Sequence, residues 1–314
     1  MALTYDQLNS VSTPDFDMGQ WTDQVYKKNV ILDRIREGMR VVADGGTKYN
    51  HMIKWKELGQ AKTIDPDDAR STTVVETRTL LEVDPKYAVC DVICTWEELA
   101  QNSGAHKIID LKANKYTEGA QDMSELISDM FYQSLAATSG EDLQGIMTIV
   151  QDPSSTSTYA GIASGDAASW VAGLYYSSSV SLALFGTYSL AYGLRSCTFD
   201  VGPNLIVTAH AVVDTYASKL QPSERRQPEN GKSGATSLSF MGVPIIWDSH
   251  CDSSDMHFLN TDYLYLYTHP EYNFTYSSWE DDPDRYNAAR AHISLQGNFL
   301  ATRRNQFGSY TSIS

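Results

Sequence analysis

Several groupings of residues in this chain could do chemistry, and each carries its own counter-argument. GKSG at 231–234 has the ending of a phosphate-cradling loop, but that loop needs a glycine five residues ahead of Gly231, where Arg226 stands. It must also open a helix, whereas TSLSFMGVPIIWD after it reads as strand, so a solvated loop is expected. SHCDSSDMH brings His250, Cys251, Asp252, Asp255 and His257 close enough in sequence to ligate a metal. No HExxH, CxxC or calcium-loop spacing is met, so a polar connector is expected there. GIASG at 161–165 misses the nucleophile-elbow pattern GxSxG because Ser164 falls one place late, and any Ser/His/Asp triad would have to be assembled by the fold. The run Glu280, Asp281, Asp282 and Asp284 would suit Ca²⁺ or paired carboxylates, yet Pro283 marks it as an acidic turn. Tyr263, Tyr265, Tyr267, Tyr272, Phe274, Tyr276 and Trp279 would make a platform for a sugar or a base. Their alternation puts them on one face of one or two strands, the pattern of core or interface packing. No catalytic, cofactor-binding or metal-ligating residue is therefore predicted, and no cofactor.

The totals narrow the function classes. Lys and Arg number 24 against 39 Asp and Glu, a formal charge of −15 that works against gripping a phosphate backbone. Met1–Ser12 is polar and no apolar run approaches the roughly eighteen residues of a membrane span, so neither a secretory signal nor a membrane segment is expected, and synthesis is placed in the cytoplasm. Cys90 and Cys94 would stand about 13 Å apart along a strand, beyond bridging distance, so free thiols are expected for them and for Cys197 and Cys251.

The elements that must position any site are marked by periodicity. In TEGAQDMSELISDMFYQSLAATSG (117–140), Met123, Leu126, Ile127, Met130, Phe131 and Leu135 recur at three- and four-residue intervals opposite a polar side, which predicts one amphipathic helix capped by Thr117 and ended at Gly140. Such a rod would be roughly 30 Å long and needs a sheet or helix over its apolar side. From Gly45 the period is two. Tyr49, His51, Ile53 and Trp55 share one face, with Lys48, Asn50, Lys54 and Lys56 on the other; TTVVETRTLLEV (72–83) returns with the same alternation. GQAKTIDPDDARS between them is turn-forming. Two arms of about twelve residues predict a ribbon near 40 Å long, and a two-stranded ribbon cannot hold itself up in water. It must rest on something, and its reach points to another subunit.

The remaining stretches follow in order. KYAVCDVICTW reads as a central strand with Ala88, Cys90, Val92, Cys94 and Trp96 on one side. EELAQNSGAHKIIDLKANKY reads as a short helix, a Ser-Gly break and a second amphipathic approach to the long helix, NLIVTA as a strand, and HAVVDTYASKL as a helix with Val212, Val213, Tyr216, Ala217 and Leu220 on one face. Two strands meeting at Met241-Gly242 come next, and then three strand candidates separated by turns at His-Pro-Glu and Asp-Asp-Pro-Asp.

With these residues in view, the chain resembles a tailed-bacteriophage major capsid protein, of the fold named after the Hong Kong coliphage. The likeness is carried by QWTDQVYKKN, ADGGTKYNHMIKWKELGQAK, NSGAHKIIDL, PNLIVT, FMGVPIIWD, YNFTYSSWE and GNFLATRRNQFG, in that order along the chain. It implies an α+β phage capsid fold: an N-terminal arm (1–40), an extended β-hairpin loop (41–85), a peripheral domain with a long spine helix (86–140), an axial α/β domain (141–255) and returning strands of the peripheral domain (256–314). It implies a non-enzymatic shell protein that forms hexamers and pentamers with copies of itself, works with separate scaffolding, portal and decoration proteins, and encloses double-stranded DNA without reading its sequence. Asp65, Asp67, Asp68 and Arg70 at the ribbon tip, with Trp21 and Asp23 on the arm, are the subunit-contact candidates. Certain relatives cross-link a ribbon Lys to a neighbour's Asn, and Lys62 is the candidate for that role here. A bacterial nanocompartment shell of the same fold, or a soluble hydrolase or carbohydrate-binding protein, are the rival readings.

Overall fold

The computed structural model describes residues 40–41, 46–65, 73–102, 111–133, 140–151, 158–165, 170–220 and 238–313. In chain order these form β1 (Arg40–Val41), β2 (Tyr49–Lys54), β3 (Arg78–Val83), β4 (Lys86–Thr95), α1 (Trp96–Gln101), α2 (Leu111–Tyr132), α3 (Ile146–Val150), β5 (Thr158–Tyr159), β6 (Ile162–Ala163), β7 (Leu174–Tyr176), α4 (Leu190–Ser196), β8 (Leu205–Thr208), α5 (His210–Lys219), β9 (Leu238–Phe240), β10 (Val243–Trp247), β11 (Met256–Leu259), β12 (Leu264–Tyr276), β13 (Glu280–Asp281), β14 (Ala288–Ala301) and β15 (Gly308–Tyr310). Two compact units emerge. One is built on Ala88–Leu126 and Glu271–Leu295; the other takes Ile127–Pro270, Gln296–Ser314 and the described residues up to Tyr87.

In the first unit β4 pairs with β14, and β13 lies antiparallel on β14 with Glu280 opposite Arg290. Ala88, Val92 and Cys94 of β4 are buried at period two, as the alternation required. Trp96, predicted to continue that face, instead opens α1 and is exposed. The break is made by Thr95, whose hydroxyl accepts from the Glu98 amide while the Glu98 carboxylate accepts from the Thr95 amide, a reciprocal capping box.

The spine helix is present but displaced. It begins at Leu111, six residues before Thr117, and ends at Tyr132. Thr117 is no cap: its hydroxyl donates to the Ala113 carbonyl inside the helix. Gly140 is an exposed turn residue outside it. LKANKY contains no helix breaker, so nothing stops the turns from propagating upstream. The one poor helix former, Gly119, is kept by close packing, since a Cβ there would stand 2.7 Å from Val92 Cγ2.

The second unit holds a six-stranded sheet in the order β7-β15-β11-β8-β10-β9. β8 runs parallel to β10 and antiparallel to β11, and both β8 and β11 are buried at every residue. Leu190, Ile206, Val212, Tyr216, Phe258 and Tyr310 lie in one apolar core cluster there. β9 and β10 meet at Met241-Gly242 as the sequence indicated, with φ of 51° and 84°, the positive pair a tight hairpin turn demands. Two expectations change. His269-Pro270-Glu271 is no turn but lies within the thirteen-residue β12, and β11 and β15, both from the last segment of the chain, insert into this sheet. Among the described residues β1 pairs with β12 at Tyr267 and Thr268, short of Pro270.

Arg304 is fully buried in the second unit with no carboxylate partner among the described residues. Its Nε donates to the Ile149 carbonyl at 2.6 Å, its two terminal nitrogens to the carbonyls of Trp170 and Gln151, and its guanidinium lies over the Tyr159 ring. Burial draws its pKa down, offset in part by Tyr159.

Candidate assembly interface

The ribbon has two unlike faces because its register is fixed. Tyr49 lies opposite Val83, His51 opposite Leu81 and Ile53 opposite Thr79 on one face; Asn50–Glu82, Met52–Leu80 and Lys54–Arg78 make the other. The first face is anchored within the second unit. Tyr49, Leu81 and Val83 are buried, Tyr49 stacks on Tyr267, His51 Nδ1 is 3.0 Å from the Tyr267 hydroxyl, and the Glu82 amide donates to the Ala160 carbonyl at 3.0 Å. Buried Asn298 holds the root, donating to the Asp84 carbonyl at 2.8 Å and accepting from the Gln144 amide at 2.8 Å. The aromatic alternation of Tyr265 and Tyr267 is thus packing, with the hairpin root as its partner.

The regular ladder is half the expected length. It covers six residues in each arm, roughly 20 Å, and stops at the like-charged rung Lys54–Arg78. Beyond it the two arms remain beside each other, joined by the Trp55 amide to the Thr77 carbonyl and by the Gln60 side chain to the Thr73 carbonyl. Leu58, Ile64 and Val74 of this distal part are exposed, Val74 by 91%. Lys62 and Asp65 lie on it, both exposed. Asp67, Asp68 and Arg70, and Trp21 and Asp23 of the arm, fall outside the described residues. Sequence reasoning chose charged contacts and passed over Met52 and Leu80, 64% and 46% exposed. The signal was available, since Met52 falls among the lysines of the polar face.

The other candidates resolve into structure. The SHCDSSDMH donors point to different partners: His250 Nδ1 to Asp129 at 2.6 Å, His257 Nδ1 to the Ser309 hydroxyl at 2.8 Å, and the Cys251 thiol to the Asp255 carbonyl. Among the described residues no three His, Cys, Asp or Glu are placed to share a metal. Ser309 and His257 have dyad-like geometry but are sealed in the core, and His257 Nε2 has no hydrogen-bond partner among the described residues. Burial pushes the His257 pKa down to about 4. Asp255 is raised to about 6, first by burial and then by Asp252, against the opposing hydrogen bond from Ser254. Ser164 is buried, the acidic run forms β13 and a turn in which the Asp284 amide donates to Asp282, and GKSG lies outside the described residues. All four cysteines are free.

No protein-family model and no curated protein matches the chain. Solved structures match it nearly end to end. The capsid asymmetric unit of cyanophage A-1(L) aligns with TM-score 0.65 and 12% identity over 94% of this chain and 95% of that one. The capsid of the native GTA particle aligns with TM-score 0.64 and 9% identity over 94% and 95%. A chain from the phage G assembly of major capsid and decoration proteins aligns with TM-score 0.53 and 11% identity over the whole of both. At these identities the likeness is one of fold: the chain has the tailed-phage capsid fold named after the Hong Kong coliphage.

Proposed function

We propose that this protein is the major capsid protein of a tailed bacteriophage, a virion component whose copies assemble through hexamers and pentamers into the shell around double-stranded DNA. The observation that carries the reading is the ribbon, which buries one face at its root and leaves Met52 and Leu80 of its polar outer face, and Leu58, Ile64 and Val74 of its distal arm, exposed on a subunit of capsid fold. Its work is association: an uncovered ribbon gains its missing burial only on a neighbouring copy. The charge of −15 favours a container that holds DNA without adhering to it. In this proposal residues 1–40 are the arm, 41–85 the extended loop, 86–140 with much of 256–314 the peripheral domain and 141–255 the axial domain. Scaffolding, portal and decoration proteins are its partners. Asp65, Asp67, Asp68 and Arg70 of the ribbon, and Trp21 and Asp23 of the arm, are contacts to a neighbour.

Expression of the chain with its scaffold and inspection by negative stain is the direct test. Closed shells are expected; a single globular species under all conditions overturns the proposal. Particles filled with an enzyme instead of DNA would assign the chain to nanocompartments. Reversing Asp65, Asp67 and Asp68 to Lys should abolish shells and leave the subunit soluble and folded, whereas normal shells would remove those contacts. If Lys62 forms a covalent link, boiled shells run in SDS as a ladder; a single monomer band ends that role.

A further inference from the structure

The outer face of the ribbon ends in an unfinished pattern. Met52 and Leu80 form a directly opposed, exposed apolar pair, and the next rung sets Lys54 against Arg78, like charges whose opposition is destabilising by itself. Among the described residues neither cation has a salt-bridge partner. An apolar spot edged by bare cations is completed by a surface bearing an apolar group edged by bare carboxylates.

Most acidic groups along the described helices are already engaged within the chain. Glu98 belongs to the capping box, and Glu118, Asp122 and Glu125 of α2 and Glu141 and Asp142 after it each have an interaction of their own. The turn following β13 differs. Asp281 and Asp284 are exposed and have no salt-bridge partner among the described residues, and Tyr286 beside them is 100% exposed. The turn is preformed: Glu280 lies opposite Arg290 on β14, and the Asp282 carboxylate accepts from the Asp284 amide at 3.1 Å. With Arg285 as its only cation, the segment from Glu280 to Tyr286 keeps a net negative charge.

We propose that the ribbon rungs Met52–Leu80 and Lys54–Arg78 of one copy dock on the acidic turn of a second copy, Leu80 and Met52 against Tyr286, Lys54 and Arg78 against Asp281 and Asp284. This rests on the shell reading and names the surface its ribbon meets.

The test is a charge swap in the full chain, read as shell yield by sedimentation. Lys54→Glu with Arg78→Glu should lower the yield about tenfold or more while the subunit keeps its melting temperature, and adding Asp281→Lys with Asp284→Lys to the same chain should restore shells. Wild-type yield from the first variant, or no recovery in a fully folded four-fold variant, overturns the docking alone. A wild-type chain that forms no shells overturns the shell reading and the docking with it. Should either reversed chain fail to fold, Lys54→Gln with Arg78→Gln carries the test: its assembly should lose salt sensitivity relative to wild type, and unchanged salt sensitivity overturns the pairing.

Discussion

β8 and β2 are both short strands rich in apolar side chains, and they meet opposite fates. Leu205, Ile206, Val207 and Thr208 of β8 are all buried, flanked by β10 and β11 in the six-stranded sheet. Among the described residues β2 has a single neighbouring strand, β3, and it alternates between a buried and an exposed face. The first is a finished core, whose free energy is gained within the chain. The second has one face left exposed, and under the proposed function the burial it lacks comes from another copy. If the proposal holds, stability and assembly reside in different strands, and mutations should separate them.

The largest effect falls on the finished sheet. Phe258→Ala removes a fully buried ring that packs on Tyr310, and the subunit should lose about 4 kcal/mol in a denaturant titration. Arg304→Leu should cost about 3 kcal/mol, because the carbonyls of Ile149, Gln151 and Trp170 stay buried without their donor. A loss below about 1 kcal/mol for either would mean that this region is not the stabilising core.

Next in size is a pH effect in the same sheet. His257 is neutral in the native state down to about 4, against 6.5 unfolded, so across that window the unfolded chain binds a proton the folded one refuses. Stability from this group is complete above 6.5 and falls as pH drops, by about 1.4 kcal/mol per unit. Asp255 acts in reverse: its native pKa of about 6 against 3.8 means that the folded state takes up a proton first, so its contribution grows as pH falls through 6. The two oppose each other between about 6 and 4. Asp255→Asn should uncover the histidine slope, a loss of about 2 kcal/mol between pH 6.5 and 5, and His257→Gln should turn the slope the other way. Equal pH profiles for wild type and both variants would remove this account.

The smallest effect on stability sharpens the contrast most. Met52→Ser with Leu80→Ser should leave the unfolding free energy of the subunit within about 0.5 kcal/mol of wild type, since both side chains already face solvent. The same variant should fail to build shells in sedimentation. A large loss of subunit stability would mean that the ribbon's outer face is covered within its own chain.

Much of this was legible from residue order. The β2 face of Tyr49, His51 and Ile53, the β9–β10 turn, the β8–α5 succession and the period-two burial of β4 follow from local chemistry, because side-chain direction along one strand or helix needs no knowledge of the rest of the chain. Misplaced limits had local causes with nonlocal answers. Thr117 is a good cap in isolation, yet the helix runs through it from Leu111 and packs so closely at Gly119 that a Cβ there would stand 2.7 Å from Val92 Cγ2, far away in sequence. His-Pro-Glu is a good turn in isolation, yet β12, a neighbour of β14 in the sheet, runs straight through it.

Composition and periodicity by themselves settled that this is an α+β chain with a thin alternating ribbon and no recognisable catalytic signature, because those are properties of neighbours in sequence. The tertiary structure alone decided which residues face each other: Met52 with Leu80, Lys54 with Arg78, Ser309 with His257, and Arg304 with its three carbonyls. Register and long-range packing are set by contacts between segments tens to hundreds of residues apart, and no local pattern encodes which segment will arrive.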